Sequence, residues 1–405
     1  MIHYMTVRGI GAPWVGNELR VIKRHGIPFR LNALSRPAEG YFKSHDIAKI
    51  ERETTYIYPL PVAAAALNIA AAPLRFRGRF FAALWNALTG PRESVRNRLV
   101  GILHFFVACH WAGMLRGETV SHIHSQWIHS GGTVAMYGAW LMDRPFSFTG
   151  HAADLFRERA ALSDKIARAD FIICISEFHR QFYMEHGAGP EKLHIAYCGI
   201  DTSHFTPNRR ERPEREPVRI LSSGRLVAKK GFAELIAACA ILRDRGLAFR
   251  CTIAGSGPDE ADLRAQIVAL DLADWITLTG EALQQEDIPA FMFTGDIYTL
   301  PCIWAADNDV DGLPQMLMEA MACGLPAVST RLVGIPDLIR DGDTGLLVEP
   351  EDVEALAEAL MRLAEDENLA KKLAKAGRRH LEDRFDLQNS LDPLIEQFRK
   401  KLDTP

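Results

Sequence analysis

Asp311 and Glu319 stand eight residues apart in DGLPQMLMEAMACGLP, an acidic, glycine-containing approach to a helix. A turn at Gly312 and Pro314 presents Asp311 from a loop, and the run from Gln315 to Met321 reads as helical, with Glu319 about one turn inside it. Such spacing aims two carboxylates at one cavity from different depths. Taken alone, the pair is equally readable as two capped or solvated acids, and what lies upstream gives it direction. GRLVAKKG supplies Arg225 and Lys230 directly after the apolar run VRILSS, in a loop entering the next helix. Cations at the end of a strand, reinforced by a helix amino terminus, suit a diphosphate whose charge rises as its bond to carbon breaks.

Other residues are weighed against that pair. The run FRCTIA ends in GSGP, where Gly255 and Gly257 let a ligand come close to the backbone. This is not the dinucleotide fingerprint, because the third glycine would fall where Glu260 stands. His151 in FSFTGHAADLF follows a strand and precedes Asp154, so its ring is a candidate hydrogen-bond partner for a sugar hydroxyl, with Asp154 fixing the nearby backbone or ring. His122 and His124 share a strand face in HIHSQWIH, but neither a cysteine nor a well-spaced third ligand joins them, which favours cleft lining or core packing over metal. Asp307 and Asp309 in ADNDVDG come nearest to an Asp-x-Asp metal motif and read as a polar loop. Ser176 reads as a helix cap with Glu177 in the first turn. Gly9 and Gly11 form a loop after the first strand, where an acceptor or donor can approach the backbone.

The elements that must position these residues alternate. VRILSSG, FRCTIAG, WITLTG, DIYTL, PAVST and GLLVEP are short β-rich runs separated by helical ones, the succession of a doubly wound parallel sheet. The first half repeats it less regularly with IHYMTVRG, PFRLNALS, ETTYIYPL, VSHIHSQW, FSFTG, ADFIICIS and KLHIAYCG. A length of 405 residues favours two domains. The boundaries fall at an N-terminal domain over 1–207, a charged, proline-bearing linker over 208–218, a C-terminal domain over 219–385, and a last helix over 386–405 packing back toward the N-terminal domain.

Composition narrows the class. With 48% hydrophobic and 24% charged residues the chain is an ordered globular protein, and a net charge of -4 gives no general attraction to nucleic acid. The seven scattered cysteines read as reduced residues of a cytoplasmic protein. The opening MIHYMTVRG lacks the pattern of a signal peptide, and no apolar run is long enough to span a bilayer. Residues 61–110 depart from the alternation. Arg75, Arg77, Arg79, Arg92, Arg96 and Arg98 cluster with Phe76, Phe80, Phe81 and Trp85, as expected of a helical insertion lying in an anionic membrane interface or, alternatively, packed as core.

These motifs together resemble the retaining GT-B glycosyltransferases of family 4, in particular enzymes of bacterial exopolysaccharide and lipopolysaccharide synthesis. GRLVAKKG, IAGSGP, DGLPQMLMEAMACGLPAVST, GIPDLIRDGDTGLLV, FSFTGHAADLF, FIICISEF and AYCGIDTSHFTP carry the likeness over nearly all of 1–385. The resemblance implies an α/β GT-B fold of two Rossmann-like domains facing across a cleft. It implies that Glu319 takes the ribose hydroxyls of the nucleotide, that Asp311, with Gly312 and Leu313, lies beside the donor sugar, that Arg225 and Lys230 hold the diphosphate, and that His151 serves from the first domain. Asp311 stands where the family signature Glu-x7-Glu has glutamate, one methylene longer. The implied donor is a UDP- or GDP-sugar and the acceptor a saccharide, lipid-linked in surface polysaccharide synthesis, with no cofactor and no metal ion. An epimerase or phosphorylase acting on sugar nucleotides, or a noncatalytic binding protein, are the alternatives.

Overall fold

The computed structural model describes residues 1–37, 45–157, 159–207 and 216–403. They form two compact units, Met1–Cys198 with Leu391–Pro405, and Gly199–Ser390. The chain passes between them just after Cys198, ahead of the expected linker, of which residues 208–215 lie outside the described residues.

Unit 1 begins with β1 (Ile2–Arg8), α1 (Pro13–Arg24), β2 (Phe29–Ser35), α2 (His45–Arg52), β3 (Thr55–Tyr56), α3 (Val62–Phe76), α4 (Gly78–Thr89) and α5 (Val95–Met114). It continues with β4 (His122–Gln126), α6 (Ser130–Met142), β5 (Phe146–Thr149), α7 (Leu162–Arg168), β6 (Ala169–Cys174), α8 (Glu177–Glu185) and β7 (Leu193–Ile195). Its seven strands pair in the order β3-β2-β1-β4-β5-β6-β7, every pair parallel. A parallel sheet needs a crossover between neighbours, and the helices supplying it cover both faces, which is why FSFT in β5 is buried throughout. The crossover from β3 to β4 holds three helices in place of one, the departure legible at 61–110. Phe105 and Trp111 of α5 are fully buried beside Tyr137 of α6, each such ring contributing roughly 2–3 kcal/mol of burial. Ser176 caps α8, its hydroxyl accepting the His179 N–H.

Unit 2 runs β8 (Val218–Ser223), α9 (Phe232–Asp244), β9 (Phe249–Ala254), α10 (Glu260–Ala269), β10 (Ile276–Leu278), α11 (Ile288–Phe293), β11 (Ile297–Leu300), α12 (Gln315–Ala322), β12 (Ala327–Thr330), α13 (Ile335–Leu338), β13 (Leu346–Val348), α14 (Val353–Glu365) and α15 (Glu367–Arg384). Its six strands are likewise parallel, in the order β10-β9-β8-β11-β12-β13. Each sheet reverses its winding once, between β1 and β4 in unit 1 and between β8 and β11 in unit 2. Loops leaving strands on either side of such a switch point splay apart and leave a crevice at the carboxyl ends.

The last helix, α16 (Asp392–Asp403), belongs to unit 1. Its Phe398 packs edge-on against His124, 5.2 Å between centroids, and close to His122 and Phe171. His122 and His124 do share a face of β4, and that face is core: both rings are buried and meet the Ser147 hydroxyl, at 2.6 Å and 2.8 Å. All seven cysteines are free thiols, and all but Cys198 are buried.

Candidate functional site

The switch point of unit 2 gathers the basic and acidic motifs. After β8 the chain turns through Gly224 to Lys230 and enters α9, whose first N–H groups lack an intrahelical acceptor. After β11 it passes through Asp309 and Asp311 and enters α12 behind Pro314. Lys230 Nζ hydrogen-bonds Asp311 Oδ2, and Lys229 Nζ lies 3.1 Å from Asp311 Oδ1 and 3.1 Å from Asp309 Oδ1. Burial pushes the Asp311 carboxyl upward, but the two ammonium groups more than offset it and the net shift is downward. Lys230 shows the mirror balance: burial lowers it, Asp311 raises it, and the net shift is upward. Both groups therefore stay ionised. Lys229 escaped the sequence reading because adjacent lysines give no hint of which one turns inward; a 3-10 turn over Ala228–Lys230 sends both to Asp311. Arg225 is exposed and makes no ion pair among the described residues.

Glu319 sits inside α12, as its spacing predicts, and is only 7% exposed. Its Oε2 has no hydrogen-bond partner among the described residues, and burial pushes the carboxyl up to about 7. The two acids thus occupy unlike settings. Asp311 is held by lysines in a loop, while Glu319 is a buried acceptor with an unused oxygen, a costly arrangement for a group that forms no bond in use. Gly312 and Leu313 bend between them, the Gly312 carbonyl accepting the Gly334 N–H at 2.9 Å.

Gly255 and Gly257 serve a neighbouring loop of the chain itself. Leu226 N–H donates to the Ser256 carbonyl at 3.0 Å and Asp259 N–H to the Leu226 carbonyl at 3.2 Å. A Cβ on Gly255 would strike the Gly224 carbonyl oxygen, and one on Gly257 the Leu226 carbonyl oxygen. The missing side chains thus let two backbone segments touch and hold the loop that carries Arg225.

In unit 1, Gly9 and Gly11 follow β1 at the switch point, with Gly9 at φ 48 and its carbonyl accepting the Thr6 hydroxyl at 2.7 Å. A Cβ on Gly9 would crowd Glu51, Pro37 and Tyr56, and one on Gly11 the Arg8 carbonyl. His151, just beyond β5, is buried between Trp127 at 4.5 Å and Trp14 at 5.9 Å between ring centroids, two aromatics the sequence reading did not select. Burial, helped by His129, lowers its imidazole to about 3, so the ring is neutral, and its Nε2 is unpartnered. Asp154 holds backbone and not the ring: its carboxylate accepts the His151 N–H at 2.7 Å and the Ile128 N–H. Lys165 is fully buried and donates to the carbonyls of Ile128, His129 and Ala160. Among the described residues no three His, Cys, Asp or Glu side chains converge on a common point as metal ligands do.

The helical insertion divides the arginine and aromatic cluster. Arg92 is not a surface cation: its side chain is 1% exposed, ion-paired to Asp164 at 2.7 Å and bonded to the Tyr137 hydroxyl at 2.6 Å. Phe76 and Phe80 are core as well, and Arg79 pairs with Asp143 at 2.6 Å. Phe81 and Trp85 remain outside, with Val62, Leu67, Leu74, Val95, Leu99 and Leu103. No helix among the described residues is long and apolar enough to cross a membrane.

Comparison with known proteins agrees with this geometry. Residues 205–380 match the family described as Glycosyl transferases group 1, and residues 74–204 match Glycosyltransferase Family 4. The chain is 36% identical over 252 residues to the amylovoran biosynthesis glycosyltransferase AmsK of Erwinia amylovora, covering 61% of each. It is 35% identical over 222 residues to the putative colanic acid biosynthesis glycosyltransferase WcaL of Escherichia coli K12, covering 55% of this chain and 54% of that one. The chain thus spans between half and two thirds of the length of these curated relatives. The fold is shared with the crystal structure of Anabaena Alr3699/HepE in complex with UDP, at a TM-score of 0.68 and 16% identity over 100% of both chains. Two parallel-sheet units with the GT-B fold, each matching one of two glycosyltransferase family models, make the chain a relative of the group 1 and family 4 glycosyltransferases and of enzymes of bacterial exopolysaccharide synthesis.

Proposed function

We propose that the protein transfers a sugar from a UDP- or GDP-sugar, with retention at the anomeric carbon, to a saccharide acceptor that is lipid-linked and destined for surface polysaccharide. The observation that carries this reading is the pairing, at one switch point, of an ionised Lys229/Lys230/Asp311 cluster with the buried, half-unused carboxyl of Glu319. Arg225 and Lys230 receive the diphosphate beside the amino terminus of α9, Glu319 accepts from the ribose hydroxyls, and Asp311 with the Gly312 and Leu313 backbone takes the sugar side. On unit 1 the neutral imidazole of His151 hydrogen-bonds a sugar hydroxyl, and the loop of Gly9 and Gly11 borders the switch point of that unit. The bond from the anomeric carbon to the phosphate oxygen breaks, the acceptor oxygen bonds to that carbon from the same side, and the acceptor proton passes to the departing phosphate oxygen. No separate protein base and no bound metal ion is required, since lysine and arginine supply the countercharge.

The relatives named for amylovoran and colanic acid biosynthesis support a polysaccharide acceptor. The exposed apolar side chains of α3 to α5 support work in the cytoplasm at the inner face of the membrane, where a lipid-linked saccharide is presented. The test is incubation with radiolabelled UDP- and GDP-sugars, with and without a lipid-linked saccharide extract. Label entering the lipid fraction only when acceptor is present is the expected outcome. Label recovered solely as free sugar, sugar phosphate or an epimeric nucleotide would replace transfer by another sugar-nucleotide reaction.

A further inference from the structure

Away from His151, unit 1 contains a cavity of about 450 Å³ between the amino-terminal half of α5, the start of α6 and the segment before α7. That volume is in the range of small-molecule sites. Arg92, Arg96, Arg159, His104, His129 and Thr133 are among its lining residues, and the amino termini of α5 and α6 both open onto it. Its electrostatics are one-sided. The carboxylate of Glu93, the acid in the lining, is taken up by the N–H groups of Ala161 and Leu162, at 2.8 Å and 3.0 Å. Arg92 is compensated through Nη1 by Asp164, but its buried Nε has no partner and lies against the lining residue Gly101. Arg159 stands over the face of Phe182 at 5.1 Å, and Arg96 is exposed without an ion pair among the described residues. Lys165, fully buried, donates to the carbonyls of His129 and Ala160, two lining residues.

The helix that lines this cavity also carries an exposed apolar stripe. Asn97, Gly101 and His104 of α5 line the cavity, while Val95, Leu99 and Leu103 are 77%, 61% and 63% exposed. At about 100° per residue, Arg96 falls between the two stripes. A cationic hollow bordered by unpartnered hydrocarbon fits one chemical class, an amphiphile with a phosphoryl group at the end of an apolar chain.

We propose that this cavity is a second anion site, separate from the lysine cluster of unit 2, and that it takes the phosphoryl group of a lipid while the apolar chain lies along Val95, Leu99 and Leu103. The assignment rests on the reading of unit 1 as the acceptor side. The test is calorimetric titration of the full chain, saturated with UDP and GDP so that the unit 2 site is filled, using inorganic pyrophosphate and geranyl diphosphate as probes. Geranyl diphosphate should bind about 1:1 and more tightly than pyrophosphate. Arg96→Glu, a change at an exposed residue, should weaken both probes by about tenfold or more, as expected for loss of a charge-assisted hydrogen bond. Leu99→Ser should weaken the prenyl probe alone. Absence of binding to the nucleotide-saturated protein, or parental affinity in Arg96→Glu with its fold intact by circular dichroism, would overturn the site. Equal affinity for the two probes would assign the cavity to free phosphate and overturn the lipid. The readout needs no turnover: failure of sugar transfer with this binding intact would sink the transferase reading alone.

Discussion

The two switch points are built alike and furnished in opposite ways. In unit 2 the loops after β8 and β11 bring together two lysines and two aspartates, and mutual attraction keeps the Lys230 and Asp311 pair charged despite burial. In unit 1 the loop after β4 and the start of α1 bring Trp127 and Trp14 against a histidine that burial holds neutral. A charged group taken from water survives only if counter-charge travels with it, whereas a neutral imidazole between indoles needs none. One setting is suited to a ligand whose charge changes, the other to an uncharged one recognised by shape and single hydrogen bonds.

The sharpest way to break that contrast is to remove the cations. Lys230→Ala and Arg225→Ala should each lower turnover by about 10²-fold or more, the loss seen when a preorganised charge donor is deleted. Initial-rate measurements on variants with parental circular dichroism decide it, and parental rates would move the diphosphate elsewhere. Asp311→Asn sharpens the same point from the other side: freed of competition for Lys230, the protein should bind free nucleotide diphosphate more tightly in calorimetry while turning over more slowly.

His151→Ala should reduce transfer by about tenfold, roughly one buried hydrogen bond, with nucleotide affinity unchanged. Equal loss of both would make the residue part of the packing and erase the contrast. Glu319 gives a smaller, pH-dependent effect. Its folded-state pKa, raised by burial to about 7, exceeds the ordinary 4.5, so this group's contribution to stability is fully present below pH 4.5 and is lost as pH rises through about 7. The difference amounts to roughly 3 kcal/mol. Glu319→Gln should flatten that part of the stability profile in urea titrations at pH 5 and pH 8. A carboxylate accepting from ribose also binds best ionised, so nucleotide affinity should fall between pH 7.5 and pH 6 in the parent, by less than about tenfold, more than in the glutamine variant.

The smallest effect concerns the membrane. Flotation with anionic liposomes should drop when Phe81 and Trp85 are replaced by serine, and less when Arg75, Arg77 and Arg79 are reversed in charge, because Arg79 already has Asp143 as partner. No flotation of the parent at low salt would make a soluble acceptor the better reading.

The strand succession and the start of α12 were legible from the residues alone. Strands buried on both faces must be nearly continuous apolar runs, and turns between them need glycine and proline, so FIIC, TIAGSGP and the stop at Pro314 announce themselves locally. The depth of Glu319 inside its helix, the cap at Ser176 and the shared face of His122 and His124 follow from the same local periodicities. Other facts depend on partners distant in sequence. Arg92 turns inward because Asp164 and Tyr137 wait for it, His122 and His124 face core because α16 returns to cover them, and Gly255 and Gly257 are needed because the Gly224–Leu226 backbone lies against them. Lys229 joins Lys230 on Asp311 only through the geometry of a short turn. Local pattern specifies which face of an element is apolar, since that depends on the backbone period. Which charge is neutralised, and which polar atom is left without a partner, is decided by groups from other elements, and only the folded chain brings those within hydrogen-bond reach.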